Sequence, residues 1–248
     1  MKPQRAIVTG GATNIGRAIT ESFLARGGRV AVGQPDPAVA DSLVQAYGDR
    51  VIALRVDVGD PAQCRAFVDE AAARLGGLDV LVNNAAISGA GSIGMLPDVD
   101  ARHVASILGV NVGGVIFCSQ AAAPHLQRAG GGVIVNISSI NAFRPQRGAM
   151  VYAASKAAVG SLTRSLAREL APHHIRVVAV APGDIRTHRI ELLEQEMAAR
   201  GIVSDVVNQT PLGQGRTQDI GATVAFLCSD EAAFVTGATW LVDGGLLA

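Results

Sequence analysis

The sequence predicts a doubly wound α/β domain in which a parallel seven-stranded sheet carries helices on both faces. Short β-branched segments alternate with longer Ala-rich segments along the whole chain. These short segments are apolar throughout, which is typical of parallel strands buried on both faces. The 248 residues, of which 49% are hydrophobic, suffice for one large core, and no linker, repeat or low-complexity segment divides them. We therefore expect a single domain over residues 1–248.

Seven strands and seven helices follow from this alternation. The strands are predicted at 5–9, 29–33, 50–56, 78–83, 132–138, 175–181 and 239–242. The helices are predicted at 15–27, 37–47, 60–75, 98–128, 150–171, 188–200 and 217–229. Right-handed crossovers between such strands place the ligand crevice at the carboxyl ends of the strands.

Local signals support several helix ends, and one segment lacks them. Asp60–Pro61 begins a helix with a capping carboxylate and a proline at its first position. Gly76–Gly77 and Gly130–Gly132 end helices by supplying positive φ. The segment 184–216 is long, weakly periodic and interrupted by glycine and proline. We expect it to form a substrate lid beside the crevice.

Charge and cysteine content bear on partners and location. Lys and Arg total 21, as do Asp and Glu, so the formal net charge is zero and no basic block suggests nucleic acid or an anionic membrane as partner. No segment has the ~18 uninterrupted apolar residues of a membrane span, and no signal peptide is recognisable. We expect a cytoplasmic protein. Cys64, Cys118 and Cys228 are widely spaced, which predicts buried free thiols and no metal site.

The segment Thr9–Gly16 joins the first predicted strand to the first helix and reads TGGATNIG. Glycines permit a tight turn, and the helix N-terminus offers unpaired N–H groups and a positive dipole to a pyrophosphate. An ordinary glycine-rich turn is the alternative, but the position after the first strand favours a nucleotide site. Asn14 enters the left-handed backbone region more readily than most residues, so the turn tolerates it.

Tyr152 and Lys156 are four residues apart at the start of a long predicted helix, so their side chains lie on one face. A free phenol, with a pKa of about 10, is a poor base at neutral pH, and a neighbouring cation favours its phenolate. The pair therefore suits general acid/base catalysis. A chance pairing on an amphipathic helix is the alternative. Against it, Lys2 and Lys156 are the chain's only lysines.

With these motifs, the chain resembles a short-chain dehydrogenase/reductase of about 250 residues. The match runs from residue 5 to 245 and departs from the family pattern at Asn14 and Ala86, where the family has glycine. The segments that carry the resemblance are Thr9–Gly16, Asp57–Val58, Asn83–Ala86, Asn111, Ile137–Ser139, Tyr152–Lys156, Pro182–Thr187 and Asp243–Gly245.

The resemblance implies a Rossmann-fold oxidoreductase that moves a hydride between NAD(P) and a secondary alcohol or ketone. Tyr152 would exchange a proton with the substrate oxygen, and Lys156 would bind the nicotinamide ribose. Ser139 would orient the carbonyl, because its spacing of thirteen residues from the tyrosine selects it over Ser138. Asn111 would hold a water that links the lysine to solvent.

The resemblance also implies a set of cofactor-binding residues. One of them, Asn83, and the proposed water ligand Asn111 could instead only satisfy buried polar groups. The full set is Thr9, Gly10, Asn14, Ile15, Gly16, Gln34, Asp57, Val58, Asn83, Ala85, Tyr152, Lys156, Pro182, Gly183, Ile185 and Thr187.

Gln34, at the end of the second predicted strand, bears on the choice between NAD and NADP. A carboxylate there would bind the ribose hydroxyls and repel a 2′-phosphate. NADP-preferring relatives often carry a basic residue at the position of Thr13 or Pro35, and neither is basic here. Asp36 could supply the missing acid or cap the next helix, and Arg17 could point away from the ribose. These features favour NAD slightly.

The candidate substrate residues are Ser139, Asn141, Arg144 and His188, and Arg147 could border the same pocket. An arginine fork would suit an anionic substrate. The weightier alternative is that these arginines are solvated rim or intersubunit contacts, because exposed charges are the default.

Two other functions stay open at this point. A 3-oxoacyl-thioester (acyl carrier protein) reductase shares every motif described above. A non-catalytic nucleotide-binding scaffold is a remote alternative, because a scaffold has no need of a tuned phenol. The family resemblance further implies a homotetramer or homodimer with helices 98–128 and 150–171 in the interface.

Overall fold

Strands and helices alternate through the part of the chain that the computed structural model describes, which comprises residues 4–187, 190, 192, 195, 198, 199 and 209–248. The strands are β1 (Arg5–Thr9), β2 (Arg29–Gln34), β3 (Val51–Arg55), β4 (Val80–Asn83), β5 (Gly132–Ile137), β6 (Ile175–Pro182), β7 (Ile185–Arg186), β8 (Gly215–Arg216) and β9 (Thr239–Val242). The α-helices are α1 (Asn14–Ala25), α2 (Asp41–Tyr47), α3 (Pro61–Leu75), α4 (Ala101–Leu108), α5 (Gly114–Arg128), α6 (Met150–Leu170) and α7 (Thr217–Leu227).

Seven of the strands form one sheet in the order β3-β2-β1-β4-β5-β6-β9, and every neighbouring pair is parallel. The chain builds outwards from β1 to β3, then crosses to β4 and builds in the other direction. The predicted doubly wound fold is therefore confirmed. The reversal between β1 and β4 opens a crevice at the carboxyl ends of these strands, where such sheets bind ligands.

The central strands β1, β2, β4, β5 and β6 are buried on both faces, which explains their apolar sequences, whereas the edge strand β9 is only partly buried. In β1, Ala6 and Val8 belong to the core layer beside α1, α2 and α7, whereas Ile7 belongs to the layer beside α3, α5 and α6. All three residues are fully buried. Full burial of a Val or Ile side chain contributes about 1.5–3 kcal/mol, so both layers stabilise the sheet that carries the crevice.

The predicted helix 98–128 differs from the observed structure in its centre. It consists of α4 and α5 joined by a π-helical turn at Gly109–Gly113. Glycines are weak helix formers, and those at 109, 113 and 114 concentrate at this point. Such a turn inserts one extra residue into a helix and often marks a functional site. Asn111 lies at its centre.

Three smaller differences concern short elements. The predicted helix 37–47 begins as a 3-10 turn at Pro37–Ala40 before α2. Strands β7 and β8, of two residues each, pair with one another and were not predicted because they are too short to show a pattern. Most of the predicted helix 188–200, and with it much of the predicted lid, lies outside the described residues.

The stretch Ala101–Arg128 is long and apolar enough to cross a membrane by length and composition. In the fold, α5 packs against α3, β4 and β5. Its opposite side exposes Ile116, and α4 exposes Leu108. Within this stretch α5 thus covers the sheet, and the stretch as a whole keeps an uncovered apolar side.

Candidate active site

A cleft of about 440 Å³ lies at the carboxyl ends of the parallel strands. It brings together the glycine loop, the tyrosine–lysine pair and the segment after β6, which are far apart in sequence. Thr9, Asn83, Asn111 and Arg144 do not line it, and His188 lies outside the described residues. The predicted site residues that line it are Gly10, Asn14, Ile15, Gly16, Gln34, Asp57, Val58, Ala85, Ser139, Asn141, Tyr152, Lys156, Pro182, Gly183, Ile185 and Thr187.

The glycine loop leaves the N-terminus of α1 open towards the cleft. Asn14 has φ 48°, so it adopts the left-handed conformation expected of it. The N-cap residue Thr13 makes no side-chain capping bond, and the first turn holds no acidic residue. A Cβ on Gly16 would collide with the carbonyl oxygen of Gly10. A helix N-terminus without a side-chain cap offers its N–H groups to a ligand. Together with the close backbone approach at Gly16, this fits the pyrophosphate of a dinucleotide.

Thr9 and Asn84 anchor the glycine loop through hydrogen bonds. The Thr9 hydroxyl oxygen accepts hydrogen bonds from the backbone N–H groups of Asn84 (3.0 Å) and Ala85 (3.1 Å). The Asn84 amide donates to the carbonyls of Thr9 (2.9 Å) and Gly10 (3.0 Å). Asn84 also lines the cleft and was absent from the predicted set. The sequence signals for it were its position directly after an apolar strand and its place in the segment Asn83–Ala86, which carries the family resemblance.

The end of β2 carries neither a free acid nor a free base into the cleft. Gln34 lines the cleft with only 8% of its surface exposed, and its amide nitrogen has no hydrogen-bond partner among the described residues. The Asp36 carboxylate accepts from the N–H of Ala38 and so caps the 3-10 turn. Arg17 donates to Glu21 (2.8 Å) and Ser42 (2.8 Å). The Gln34 amide nitrogen is thus a buried donor for which the described residues supply no partner.

Tyr152 and Lys156 meet on one side of α6, inside the cleft. The lysine Nζ is 5.6 Å from the centroid of the tyrosine ring and donates to the carbonyl oxygen of Ile137 at 2.8 Å. Lys156 is 4% exposed, and this burial lowers the pKa of its ammonium to about 8. A buried cation with one backbone partner is well placed to stabilise an anion nearby.

The two serines after β5 have different surroundings. The Ser138 hydroxyl donates to the carbonyl oxygen of Lys156 at 2.9 Å, so its proton is engaged within the fold. The Ser139 hydroxyl oxygen accepts from the N–H of Asn141 at 3.2 Å, which leaves its own proton available to a ligand. Both residues line the cleft. This difference favours Ser139 as the hydrogen-bond donor to a substrate.

Asn111 connects the loop after β4 to α6. Its amide oxygen accepts from the N–H of Ile87 (2.8 Å), and its amide nitrogen donates to the Ile87 carbonyl (3.1 Å) and the Ser155 hydroxyl (3.0 Å). Ser155 in turn donates to the carbonyl oxygen of Tyr152 at 2.7 Å. The π-helical turn thus places Asn111 where it braces the residue next to Lys156.

Asn83 lies under the cleft in a buried polar network. Its amide nitrogen donates to Ser119 (3.1 Å) and to Asn136 (2.8 Å), and Asn136 donates to Thr163 (3.0 Å). These bonds join β4, β5, α5 and α6. The position of Asn83 favours the alternative that it satisfies buried polar groups over direct contact with a cofactor.

The candidate substrate residues divide into two groups. The Asn141 amide oxygen accepts from the N–H of Gln146 at 2.9 Å, and Arg147 lines the cleft beside them. Arg144 points elsewhere and donates to Gln209 at 2.5 Å. The sequence could not separate the two arginines, because they lie three residues apart in one irregular segment.

The three cysteines are buried and not disulfide-bonded. Within the described part of the chain, no three His, Cys, Asp or Glu side chains cluster as they would around a metal ion.

A doubly wound sheet with an open helix N-terminus and a Ser–Tyr–Lys set in one cleft defines a nucleotide-dependent oxidoreductase. A family model described as enoyl-(acyl carrier protein) reductase matches residues 10–247. The chain belongs to the short-chain dehydrogenase/reductase family, whose members are NAD(P)-dependent enzymes acting on hydroxyl and keto groups.

Three known proteins illustrate the similarity. A 3alpha-hydroxysteroid dehydrogenase of Mediterraneibacter gnavus is 38% identical over 250 residues, covering 98% of this chain and 97% of its own. A cis-4-hydroxycyclohexanecarboxylate dehydrogenase of Sinomonas cyclohexanicum is 38% identical over 247 residues, covering 98% and 96%. The crystal structure of 3-ketoacyl-(acyl-carrier-protein) reductase from Brucella melitensis complexed with NADH has a TM-score of 0.87 and 33% identity, with 98% of each chain covered.

Proposed function

We propose that the protein interconverts a secondary alcohol and its ketone with NAD(P), using Tyr152 as general acid/base. The observation that carries this proposal is the placement of Ser139, Tyr152 and Lys156 in the same cleft as the open N-terminus of α1. A structural role alone would not require a buried ammonium beside a phenol that lines a nucleotide-sized cleft.

Each residue of the set has a distinct part in ketone reduction. The bound nicotinamide would supply the hydride to the carbonyl carbon. Tyr152 donates its phenolic proton to the carbonyl oxygen, and Ser139 donates a hydrogen bond to the same oxygen as negative charge develops there. The Lys156 ammonium stabilises the resulting phenolate by Coulomb attraction. In alcohol oxidation the proton would pass from the hydroxyl to the Tyr152 phenolate, and the hydride would pass from the carbinol carbon to the oxidised nicotinamide.

Asn111 would support the return of the proton to Tyr152. The family resemblance assigns it a water that links Lys156 to solvent. Its amide is already bonded to Ile87 and Ser155. We therefore propose that it acts mainly by fixing the π-helical turn beside α6, so that a water can reach Lys156.

The proposed cofactor preference is NAD over NADP, by a small margin. A 2′-phosphate needs a positive partner, and the arginine of α1, Arg17, is bonded to Glu21 and Ser42. The Gln34 amide can donate to a ribose hydroxyl. Separate titrations with NADH and NADPH, followed by intrinsic fluorescence or calorimetry, test this preference. A lower Kd for NADPH would contradict it.

The alternative substrate is a 3-oxoacyl thioester on acyl carrier protein, favoured by the likeness to the Brucella melitensis reductase. The experiment compares acetoacetyl-CoA with linear and cyclic ketones and alcohols, each with NADH and NADPH, by absorbance at 340 nm. Faster turnover of the simple ketones supports the proposal. Turnover confined to the thioester supports the alternative, and no turnover of either would contradict both.

A pair of serine variants controls this assay. Ser139→Ala should lower kcat/KM by about 10²–10³, the usual effect of removing one donor to a developing oxyanion. Ser138→Ala removes only the bond to the Lys156 carbonyl and should have a much smaller effect. Equal losses in the two variants would contradict the assignment of Ser139.

We further propose a cytoplasmic homotetramer, or a homodimer, held together through the uncovered apolar side of 101–128 and through α6. Leu108, Ile116 and Met150 are exposed apolar residues on these helices. The segment 184–216 would cover the substrate, since the pairing of β7 with β8 joins its two ends. Light scattering of the purified protein tests the assembly, and a monomer would contradict it.

A further inference from the structure

One cationic side chain in the cleft, that of Arg147, has no partner among the residues that the structure describes. Arg147 lines the cleft and forms neither a hydrogen bond nor an ion pair with any residue in the described ranges. Apart from Lys156, it is the only Lys or Arg among the described residues of the lining. Its neighbour Arg144, by contrast, donates to Gln209 outside the cleft.

The carboxylates that line the cleft already have other partners. Asp57 accepts from the N–H of Gly59 at 2.9 Å, and Asp184 accepts from the amide of Gln214 at 3.1 Å. Neither is bonded to Arg147. The cleft also has an extensive apolar wall, contributed by Ile87, Ile93, Ile140, Ala149 and Ile190. Arg147 is exposed where it lines this cleft, and the described residues do not compensate its charge.

A chain of hydrogen bonds fixes the backbone around Arg147 relative to the reacting centre. The N–H of Asn141 donates to the Ser139 hydroxyl (3.2 Å), and the Asn141 amide oxygen accepts from the N–H of Gln146 (2.9 Å). The carbonyl of Gln146 then accepts from the N–H of Ala149 (3.1 Å), which directly precedes α6. The backbone segment that contains Arg147 is thus connected by hydrogen bonds of its neighbours to Ser139 on one side and to the start of α6, just before Tyr152, on the other.

We infer that the substrate carries a small anionic group, a carboxylate, away from its reacting carbon, and that Arg147 binds this group. A guanidinium binds a carboxylate through two parallel hydrogen bonds, and the apolar wall would contact the carbon skeleton between the two ends. This inference rests on the proposed ketone–alcohol function and narrows its substrate class. Arg147 acts in substrate binding and orientation and takes no part in proton transfer.

The test compares keto acids with their own methyl esters, which differ only in the charge at the far end. The probes are 4-oxopentanoate, 5-oxohexanoate and 3-oxocyclohexanecarboxylate. For the probe that fits best, wild type should prefer the acid over its ester by at least about 10-fold in kcat/KM, the lower range for a charged hydrogen bond. Arg147→Gln should bring the ratio close to one by lowering turnover of the acid, and Arg147→Glu should favour the ester.

Arg65→Gln serves as the matched control, because Arg65 is exposed on α3 and does not line the cleft. It removes the same charge and should leave the acid-to-ester ratio unchanged. Two results would overturn the inference: an unchanged acid-to-ester ratio in Arg147→Gln, or no preference for acids in wild type. In either case, turnover of the esters would still uphold the proposed function. Turnover of neither acids nor esters would overturn both.

Discussion

The Nζ of Lys156 lies 5.6 Å from the centre of the Tyr152 ring, and the same ammonium donates to the carbonyl oxygen of Ile137 at 2.8 Å. The second contact fixes the first, because a long lysine side chain without a buried partner would sample many rotamers. One turn of α6 and the last residue of β5 thereby set the geometry of the proposed acid/base pair.

Burial of Lys156 should make the stability of the cofactor-free protein depend on pH. Its folded-state pKa of about 8 lies below the ordinary value of 10.5, so the unfolded chain binds more protons between these values. Stability from this group therefore rises with pH across that window. Urea unfolding from pH 7.5 to 10.5 should show the wild type gaining about 3 kcal/mol relative to Lys156→Met. A constant difference between the two proteins would contradict the burial of a charged lysine.

Gly16→Ala should abolish tight cofactor binding. The added Cβ would collide with the Gly10 carbonyl oxygen and force the glycine loop apart. We expect the Kd for the preferred cofactor to rise more than about tenfold, by calorimetry. Gly160→Ala in α6 is the matched control, because its Cβ would meet nothing closer than 3.8 Å. That variant should bind normally and gain about 0.5–1 kcal/mol in stability. Normal binding by Gly16→Ala would refute the loop assignment.

Asn14→Gly should leave both stability and cofactor binding nearly unchanged, because glycine adopts a φ of 48° freely. Asn14→Val places a β-branched residue in the left-handed region and should cost about 1–2 kcal/mol. Thermal unfolding of both variants measures the difference. Equal melting temperatures would show that the turn relaxes out of the left-handed conformation.

Gln34 should control the choice between the two cofactors. Gln34→Asp adds a charge that repels a 2′-phosphate, and Gln34→Arg adds one that attracts it. We expect the ratio of the Kd for NADPH to that for NADH to rise about tenfold in the first variant and to fall about tenfold in the second, relative to wild type. A ratio that does not move in either variant would place the ribose away from Gln34.

Much of the fold was predictable because parallel strands buried on both faces leave an uninterrupted apolar pattern. All seven strands of the main sheet were found within two residues of their predicted ends. The π-helical turn at Asn111 was missed, since a helix with one extra residue has nearly the same local sequence as a regular helix.

The candidate site was predictable where a motif determines local backbone and less so where distant side chains meet. The loop around Gly16 and the pair in α6 follow from local spacing. Asn84 contacts Thr9 across 75 residues, and sequence alone could not show that contact. The sequence alone also could not decide whether the Asp36 carboxylate binds the ribose or caps the next helix, because these two roles differ only in which neighbour the carboxylate contacts.

Deuteride transfer tests the central claim most directly. Either wild type or Tyr152→Phe is mixed with a ketone that wild type reduces and with a reduced cofactor that carries deuterium at the transferred position of C4. The alcohol product is then analysed by mass spectrometry. Wild type should place deuterium on the former carbonyl carbon. Tyr152→Phe should still bind the cofactor but form the deuterated alcohol about 10²–10⁴ times more slowly. Deuterated alcohol formed at equal rates by the two proteins would contradict the assignment of Tyr152 as the proton donor.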